Sequence, residues 1–218
     1  MFFKRQFLLF LTTSMLLGNV ASASTLLVMG DSLSAAHNIR HEAGWVSLLE
    51  NKLFQSHPDI KVVNASASGE TTQGGLSRFA LLLSQYKPHW LILELGANDA
   101  LRGYPLAETT NNLEKMIKQA HKSNVKVLLI GNKIPQNYGK RYTEMFFKLY
   151  EALANKHQLI YLPFMLKGVA LNKGLMQNDG LHPNQDGQLR VLQNILPYLY
   201  VLLDENDQLK VANNIDGQ

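Results

Sequence analysis

The 218-residue chain has no cysteine. Disulfide frameworks, thiolate metal centres and lipid attachment to a cysteine are therefore all excluded. Charged residues are sparse, at 17% of the chain, and the cations are scattered, Lys140-Arg141 being the closest grouping. With no basic stripe, the formal charge of +4 does not indicate a nucleic-acid partner. No apolar run reaches the roughly 20 residues that a bilayer span needs. Several motifs are also missing. Without a Gly-x-Ser-x-Gly elbow the chain does not fit the α/β-hydrolase fold. It has no Gly-x-x-x-x-Gly-Lys phosphate loop, no dinucleotide fingerprint and no His-Glu-x-x-His zinc motif.

What is present begins with a leader pattern. Residues 1–23 carry Lys4 and Arg5, an apolar run over 7–17, and then Ala21-Ser22-Ala23. That is the three-part form of a secretory signal, with cleavage expected after Ala23. It points to a Gram-negative periplasm or the medium, with no membrane anchor once the signal is removed. Without Lys4 and Arg5 the 21 basic residues fall to 19, against 17 acidic, a formal charge of +2. The remaining chain, about 195 residues, fits one domain with a sizeable core. Residues 24–203 are expected to form that domain and residues 204–218 a polar tail.

Apolar runs and amphipathic stripes then alternate along the chain. Strands are expected at 25–29, 61–64, 90–95, 125–130 and 159–162. The helical stripes between and after them are Trp45, Leu48, Leu49, Leu53; Leu76, Phe79, Ala80, Leu83; Leu113, Met116, Ile117, Ala120; Tyr142, Met145, Phe146, Leu149, Leu153; and Leu189, Leu192, Ile195, Leu196. Pro197 should kink or break the last helix. Strands alternating with helices argue for a parallel sheet covered on both faces. The expected fold class is α/β, a three-layer α/β/α sandwich around a five-stranded parallel, flavodoxin-like sheet. In such sheets ligands bind beyond the carboxyl ends of the strands. Ser32, Gly69, Asn98, and Asp179 with His182 all fall at that edge.

These residue types suit nucleophilic chemistry. A hydroxyl needs a base to take its proton, and the base needs a group that fixes its tautomer. Asp179-Gly-Leu-His182-Pro183 supplies an imidazole and a carboxylate three residues apart, and Pro183 stiffens the start of the last helix. A tetrahedral intermediate needs donors aimed at the developing oxyanion. The N–H of Ser32, the N–H of Gly69, whose missing side chain permits close approach, and the Asn98 amide qualify. Taken singly, Gly69 reads as a loop glycine and Asn98 as a turn residue; taken jointly they read as a site. Asp31 reads as a brace for the turn, Ser34 as a helix-start residue, and Glu94 as a strand-end carboxylate with a structural partner. His37 and His41, four apart, lack a third ligand and read as a solvated loop. His57, His89, His121 and His157 read as exposed or core-satisfied rings. No metal and no cofactor is expected.

With Ser32, Gly69, Asn98 and His182 in four separate blocks, the chain resembles the SGNH (GDSL-type) hydrolases. The blocks are Gly30-Asp-Ser-Leu-Ser-Ala35, Val63-Asn-Ala-Ser66 before Gly69, Glu94-Leu-Gly96 before Asn98, and Asp179-Gly-Leu-His-Pro-Asn184. Leu101-Arg-Gly103 and Asn137-Tyr-Gly139 extend the likeness, which covers about residues 25–198. The resemblance implies Ser32 as nucleophile, His182 as base and then acid, and Asp179 as its orienting group. It implies an oxyanion hole of Ser32, Gly69 and Asn98. It also implies an acyl-side loop of Ala100, Leu101, Arg102, Gly103, Tyr104 and Pro105, with Ile134-Pro135 lining the acyl groove. Ala36, Ala97 and Ala100 stand where glycines would be expected, and His37 and Asn38 where an aromatic and a basic residue would be expected. The leaving-group side thus departs from the family pattern. The implied activity is acyl ester and thioester hydrolysis of the arylesterase, lysophospholipase and thioesterase type, by a monomer with an open groove and no deep lid. A carbohydrate O-deacetylase on the same scaffold and a non-catalytic binding protein are the alternatives.

Overall fold

The computed structural model describes residues 24–204; residues 1–23, read above as a secretory signal, and residues 205–218 of the expected polar tail lie outside the described residues. Five strands, β1 (Ser24–Gly30), β2 (Ile60–Asn64), β3 (Trp90–Glu94), β4 (Lys126–Ile130) and β5 (Ile160–Leu162), form one parallel sheet in the order β2-β1-β3-β4-β5. This is the flavodoxin-like order expected, with the chain reversing direction across the sheet between β1 and β3. Strand alternation assigns each side chain to one face. Leu26 and Val28 of β1, Ile92 of β3 and Leu128 and Ile130 of β4 share one core with α1 (Trp45–Ser56) and α6 (Gln185–Leu203). Leu27, Met29, Leu91, Leu93, Val127 and Leu129 face the other core, beneath α2 (Thr72–Tyr86), α4 (Leu106–Lys122) and α5 (Lys140–His157).

The stripes place the helices correctly, with three side chains on the wrong side. Ala80 is exposed, as are Met145 at 51% and Leu189 at 54%. Each lies at the margin of its stripe, and the true inward residues beside them are Phe79 and Leu82, Tyr150, and Val191. Pro197 does not break the last helix, since α6 runs through it to Leu203. The lost backbone bond and ring clash, about 3 kcal/mol, are offset by the buried row Val191, Leu192, Ile195, Leu199 and Leu202. A short helix that sequence periodicity did not reveal, α3 (Ala97–Leu101), follows β3. The residues after Ser32 form turns rather than a helix start.

Glu94, fully buried at the end of β3, ties three strand ends together. Its Oε2 accepts from the Asp31 N–H at 3.3 Å and from Ser34 Oγ at 2.8 Å, and its Oε1 accepts from Asn132 Nδ2 at 2.7 Å, just past β4. Gly30 is glycine for a steric reason: a Cβ there would stand 2.6 Å from both Glu94 Oε2 and Ser34 Oγ. Burial pushes the Glu94 carboxyl up to about 6, against the three donors that pull it down. Ser34 is therefore a brace and not a helix start.

The last loop before α6 is closed on itself. Met176 bridges Pro183 in antiparallel fashion, and the Gln177 N–H donates to the His182 carbonyl at 2.7 Å. Asn184 caps α6, its Oδ1 accepting from the Gly187 N–H at 3.0 Å. Gly187 packs directly on the Leu175 carbonyl, and an added Cβ would also meet Pro183 Cβ at 3.0 Å.

Two outcomes follow from these contacts. Relative to its ordinary value of 4.5, Glu94 binds its proton more tightly in the folded state. Its contribution to stability therefore falls as pH rises from 4.5 to about 6 and is level on either side. Glu94→Gln cannot ionise, so its urea-derived unfolding free energy should gain about 2 kcal/mol on the parent's across that window; a difference independent of pH would refute the assignment. Gly187→Ala must displace backbone and should lower stability by about 1–3 kcal/mol, read as an earlier urea midpoint; an unchanged midpoint would show that Gly187 is not a packing constraint.

Candidate active site

The turn after β1 carries Ser32 out of the sheet edge, half-buried. Its Oγ lies 2.7 Å from His182 Nε2, and His182 Nδ1 lies 2.7 Å from Asp179 Oδ2. Asp179 Oδ1 accepts from the N–H groups of Leu181 and His182 at 2.9 and 3.0 Å, so the carboxylate is anchored by its own loop. Partial burial alone would raise Asp179, but those two N–H groups and the imidazole bring it down to about 2. The acid is thus ionised at neutral pH and oriented toward the ring. The hydroxyl, imidazole and carboxylate form one continuous chain across residues far apart in sequence.

Three donors lie in the segments that follow β1, β2 and β3. The backbone N–H groups of Ser32 and Gly69 have no acceptor among the described residues. Asn98 Nδ2 donates one hydrogen to Asp31 Oδ2 at 3.1 Å, leaving the other free. Gly69 adopts φ +77, a left-handed conformation that glycine enters without steric penalty. Its carbonyl accepts from Arg102 at 3.0 Å, which fixes the plane of that peptide.

Asp31 is almost fully buried and accepts from the Leu33 N–H at 3.0 Å through its other oxygen. Burial first, then the neighbouring Glu94 charge, raises its carboxyl well above the usual range, while Leu33 and Asn98 oppose them. Asp31 therefore links the Ser32 turn to Asn98 and does not touch His182. The loop after β2 is tied in as well: Ser66 Oγ accepts from the Gly30 N–H at 3.0 Å, and Asn64 Nδ2 donates to the Ser34 carbonyl at 2.9 Å. Arg78 pairs with Glu70 and donates to the Ala65 carbonyl at 2.6 Å. On the other side of Asn98, the buried Asp99 accepts from the Thr72 N–H at 2.9 Å and from its hydroxyl, pinning α3 to α2.

The expected acyl-side residues separate into two groups. Arg102, Gly103, Tyr104, Pro105 and Pro135 are exposed, and Leu101 is half-buried. Ala100 is wholly buried, so its side chain cannot touch a ligand in this conformation, and Ile134 is only 7% exposed. The Tyr142 hydroxyl donates to the carbonyls of Ala100 and Tyr104, both at 3.3 Å, and so restrains the loop. Ala36 adopts φ 55, a left-handed conformation that costs a residue with a Cβ about 1–2 kcal/mol. That accounts for the glycine expected there.

Sequence reasoning missed the Asp31–Asn98 bond, the Arg102–Gly69 bond and the tilted packing of His37 against His182, whose ring centroids lie 4.5 Å apart with 40° between their planes. No spacing rule signals such pairs, because each joins separate βα loops. His37 Nδ1 lies 3.2 Å from Ser68 Oγ, and His41 Nδ1 lies 3.2 Å from Ser47 Oγ, so the two rings have different partners. Among the described residues no group of three or more His, Asp or Glu is placed to hold a metal ion. A separate cleft of about 640 Å³, lined by residues such as Leu83, Lys87 and Val125 at the opposite end of the sheet, touches none of the residues above.

Known proteins share this architecture. Residues 28–190 match the GDSL-like Lipase/Acylhydrolase family. Esterase TesA of Pseudomonas aeruginosa is 46% identical over 188 residues, spanning 86% of this chain and 94% of that protein. Thioesterase 1/protease 1/lysophospholipase L1 of Escherichia coli K12 is 42% identical over 179 residues, 82% of this chain and 85% of that one. A crystal structure of TesA superposes with a TM-score of 0.80 at 45% identity, covering 82% of this chain and 99% of the other. With a family match across most of the chain and relatives of this identity, the chain belongs to the GDSL-like lipase/acylhydrolase family, the SGNH hydrolases, and is an ester hydrolase.

Proposed function

We propose that the chain hydrolyses acyl esters and thioesters through an acyl-enzyme on Ser32. The observation that carries this reading is the chain from Ser32 Oγ through His182 to Asp179, with both links at 2.7 Å. Ser32 Oγ attacks the acyl carbonyl carbon as its proton passes to His182 Nε2. The resulting oxyanion is held by the N–H groups of Ser32 and Gly69 and by Asn98 Nδ2. Collapse breaks the carbon–oxygen or carbon–sulfur bond, and His182 returns its proton to the departing alcohol or thiol. Water then attacks the acyl-enzyme, giving a proton to His182, and the second collapse frees the carboxylic acid and restores the serine hydroxyl. Asp179 holds the imidazole in the tautomer that leaves Nε2 free to accept.

Both bond types are supported by the names of the relatives, one an esterase and the other a thioesterase and lysophospholipase. Exposed Arg102, Gly103, Tyr104, Pro105 and Pro135 are the surfaces offered to an acyl chain, with the buried Ile134 beneath. Export to the periplasm or medium is our reading of the pattern in residues 1–23. Every group in the proposed site comes from one chain, so the proposed chemistry needs no residue from a second copy.

Two measurements test the mechanism. A p-nitrophenyl alkylphosphonate should form one adduct, located by mass spectrometry on Ser32, and Ser32→Ala should neither label nor turn over nitrophenyl esters; failure of the folded parent to label would overturn the nucleophile. Asp179→Asn preserves the loop N–H bonds but permits the wrong tautomer, so kcat should fall on the order of 10²–10⁴-fold. A loss below threefold would remove Asp179 from the chain of proton transfer.

A further inference from the structure

Beside the Ser32–His182–Asp179 chain lies an open cleft of about 570 Å³, whose lining includes Asn38, Gln177, Asn178, Asp179, Asn184 and Gln185. It meets the site at the Asp179 end of that chain. Asp179 belongs to both, and Asn38 follows His37, whose ring centroid lies 4.5 Å from that of His182 in a tilted contact. The expected acyl-side loops at Arg102–Pro105 and Ile134-Pro135 contribute nothing to it.

The lining falls into fixed and free groups. Gln177 Nε2 donates to the carbonyls of His37 and Pro183 at 2.9 and 3.0 Å, so one amide holds the imidazole-bearing loop against the serine turn. Asn184 is committed to capping α6 and to the Gly174 carbonyl. The side chains of Asn38, Asn178 and Gln185 make no hydrogen bond to any described residue. Each offers one acceptor and two donor hydrogens, the complement of hydroxyl groups, which also donate and accept. The lining carries no lysine or arginine, and its one charge is the Asp179 carboxylate. A phosphate placed there would meet like charge with no cation to pair with it.

We propose that this cleft receives the leaving group and selects neutral polyhydroxyl alcohols, glycerol or a sugar, over phosphate-bearing ones. The proposal rests on the acyl-transfer reading above and deepens it by naming the leaving-group class. The acyl chain lies toward Tyr104 and Pro135, and the alcohol extends over His37 to the free amides. Acyl glycerols and acyl sugars are then better substrates than lysophospholipids or acyl-CoA of the same chain length.

The test holds the acyl group constant at decanoyl and varies the leaving alcohol or thiol: glycerol, glucose, glycerol 3-phosphate, coenzyme A and p-nitrophenol. The parent should show kcat/KM at least tenfold higher for the glycerol or glucose ester than for either phosphate-bearing substrate. The two neutral arms distinguish glycerol from sugar as the preferred source. Asn178→Lys, which adds a cation beside Asp179, should narrow that preference at least fivefold. The double variant Asn178→Ala/Gln185→Ala should lower the ratio of glycerol-ester to nitrophenyl-ester kcat/KM about tenfold. Equal turnover of neutral and phosphate-bearing esters, or ratios unmoved in both variants, would overturn the leaving-group assignment while leaving the acyl-transfer reading intact. Absence of nitrophenyl-ester turnover by folded parent protein would overturn that reading, and this proposal with it.

Discussion

The carboxylate of Glu94 sits where β1, β3 and β4 end, in a space with no access to water, and it gathers two donors from the segment after β1 and one from the segment after β4. Burying such a group is unfavourable unless its oxygens are satisfied, and satisfying them dictates the local geometry. The Asp31 N–H must face inward, the Ser34 hydroxyl must turn back beneath the strand, and residue 30 must lack a Cβ. Once those positions are set, the side chain of Ser32 is directed out of the sheet edge. The second buried carboxylate, Asp31, extends the same network to Asn98 on the neighbouring strand end. The serine and one of its proposed oxyanion donors are thus mounted on a common polar base, across the point where the sheet changes winding direction.

The other half of the site is built differently. His182 and Asp179 lie in an exposed loop, whose carboxylate is satisfied by its own backbone N–H groups and is held far below the usual range. What positions this loop is its footing: the cap of α6, the close packing of Gly187 on Leu175, and the amide of Gln177 reaching His37 and Pro183. A half-buried serine mounted on buried carboxylates faces an imidazole and carboxylate carried by an exposed loop. That asymmetry is consistent with an open groove that meets substrates at the protein surface.

Much of this was legible before any coordinates. Apolar runs bounded by turns located all five strands, and β1 differs by one residue at each end from the run read in the sequence. Ser32, Gly69, Asn98, Asp179 and His182 could be placed on one edge because each follows a strand in a parallel sheet. Periodicity failed where burial is graded and not binary. Met145 and Leu189 are apolar residues at stripe margins that remain in solvent, and α3 is too short to show a period at all. At Pro197 the local preference of proline yields to the packing of α6, which continues through it to Leu203.

The sequence by itself determined the strand–helix alternation, the edge on which the chemistry lies and the identity of the groups there, because these follow from local periodicity and from residue type at strand ends. Only the tertiary structure decided how those groups are joined. Asp31 meets Asn98, Arg102 meets the Gly69 carbonyl, and the His37 ring packs at a tilt against that of His182. Each contact links loops from different strands, and its existence depends on strand order and register, which no single stretch of sequence encodes. The acidic residue beside the serine therefore proves to be a strut for Asn98, while the partner of the imidazole comes from the far end of the chain.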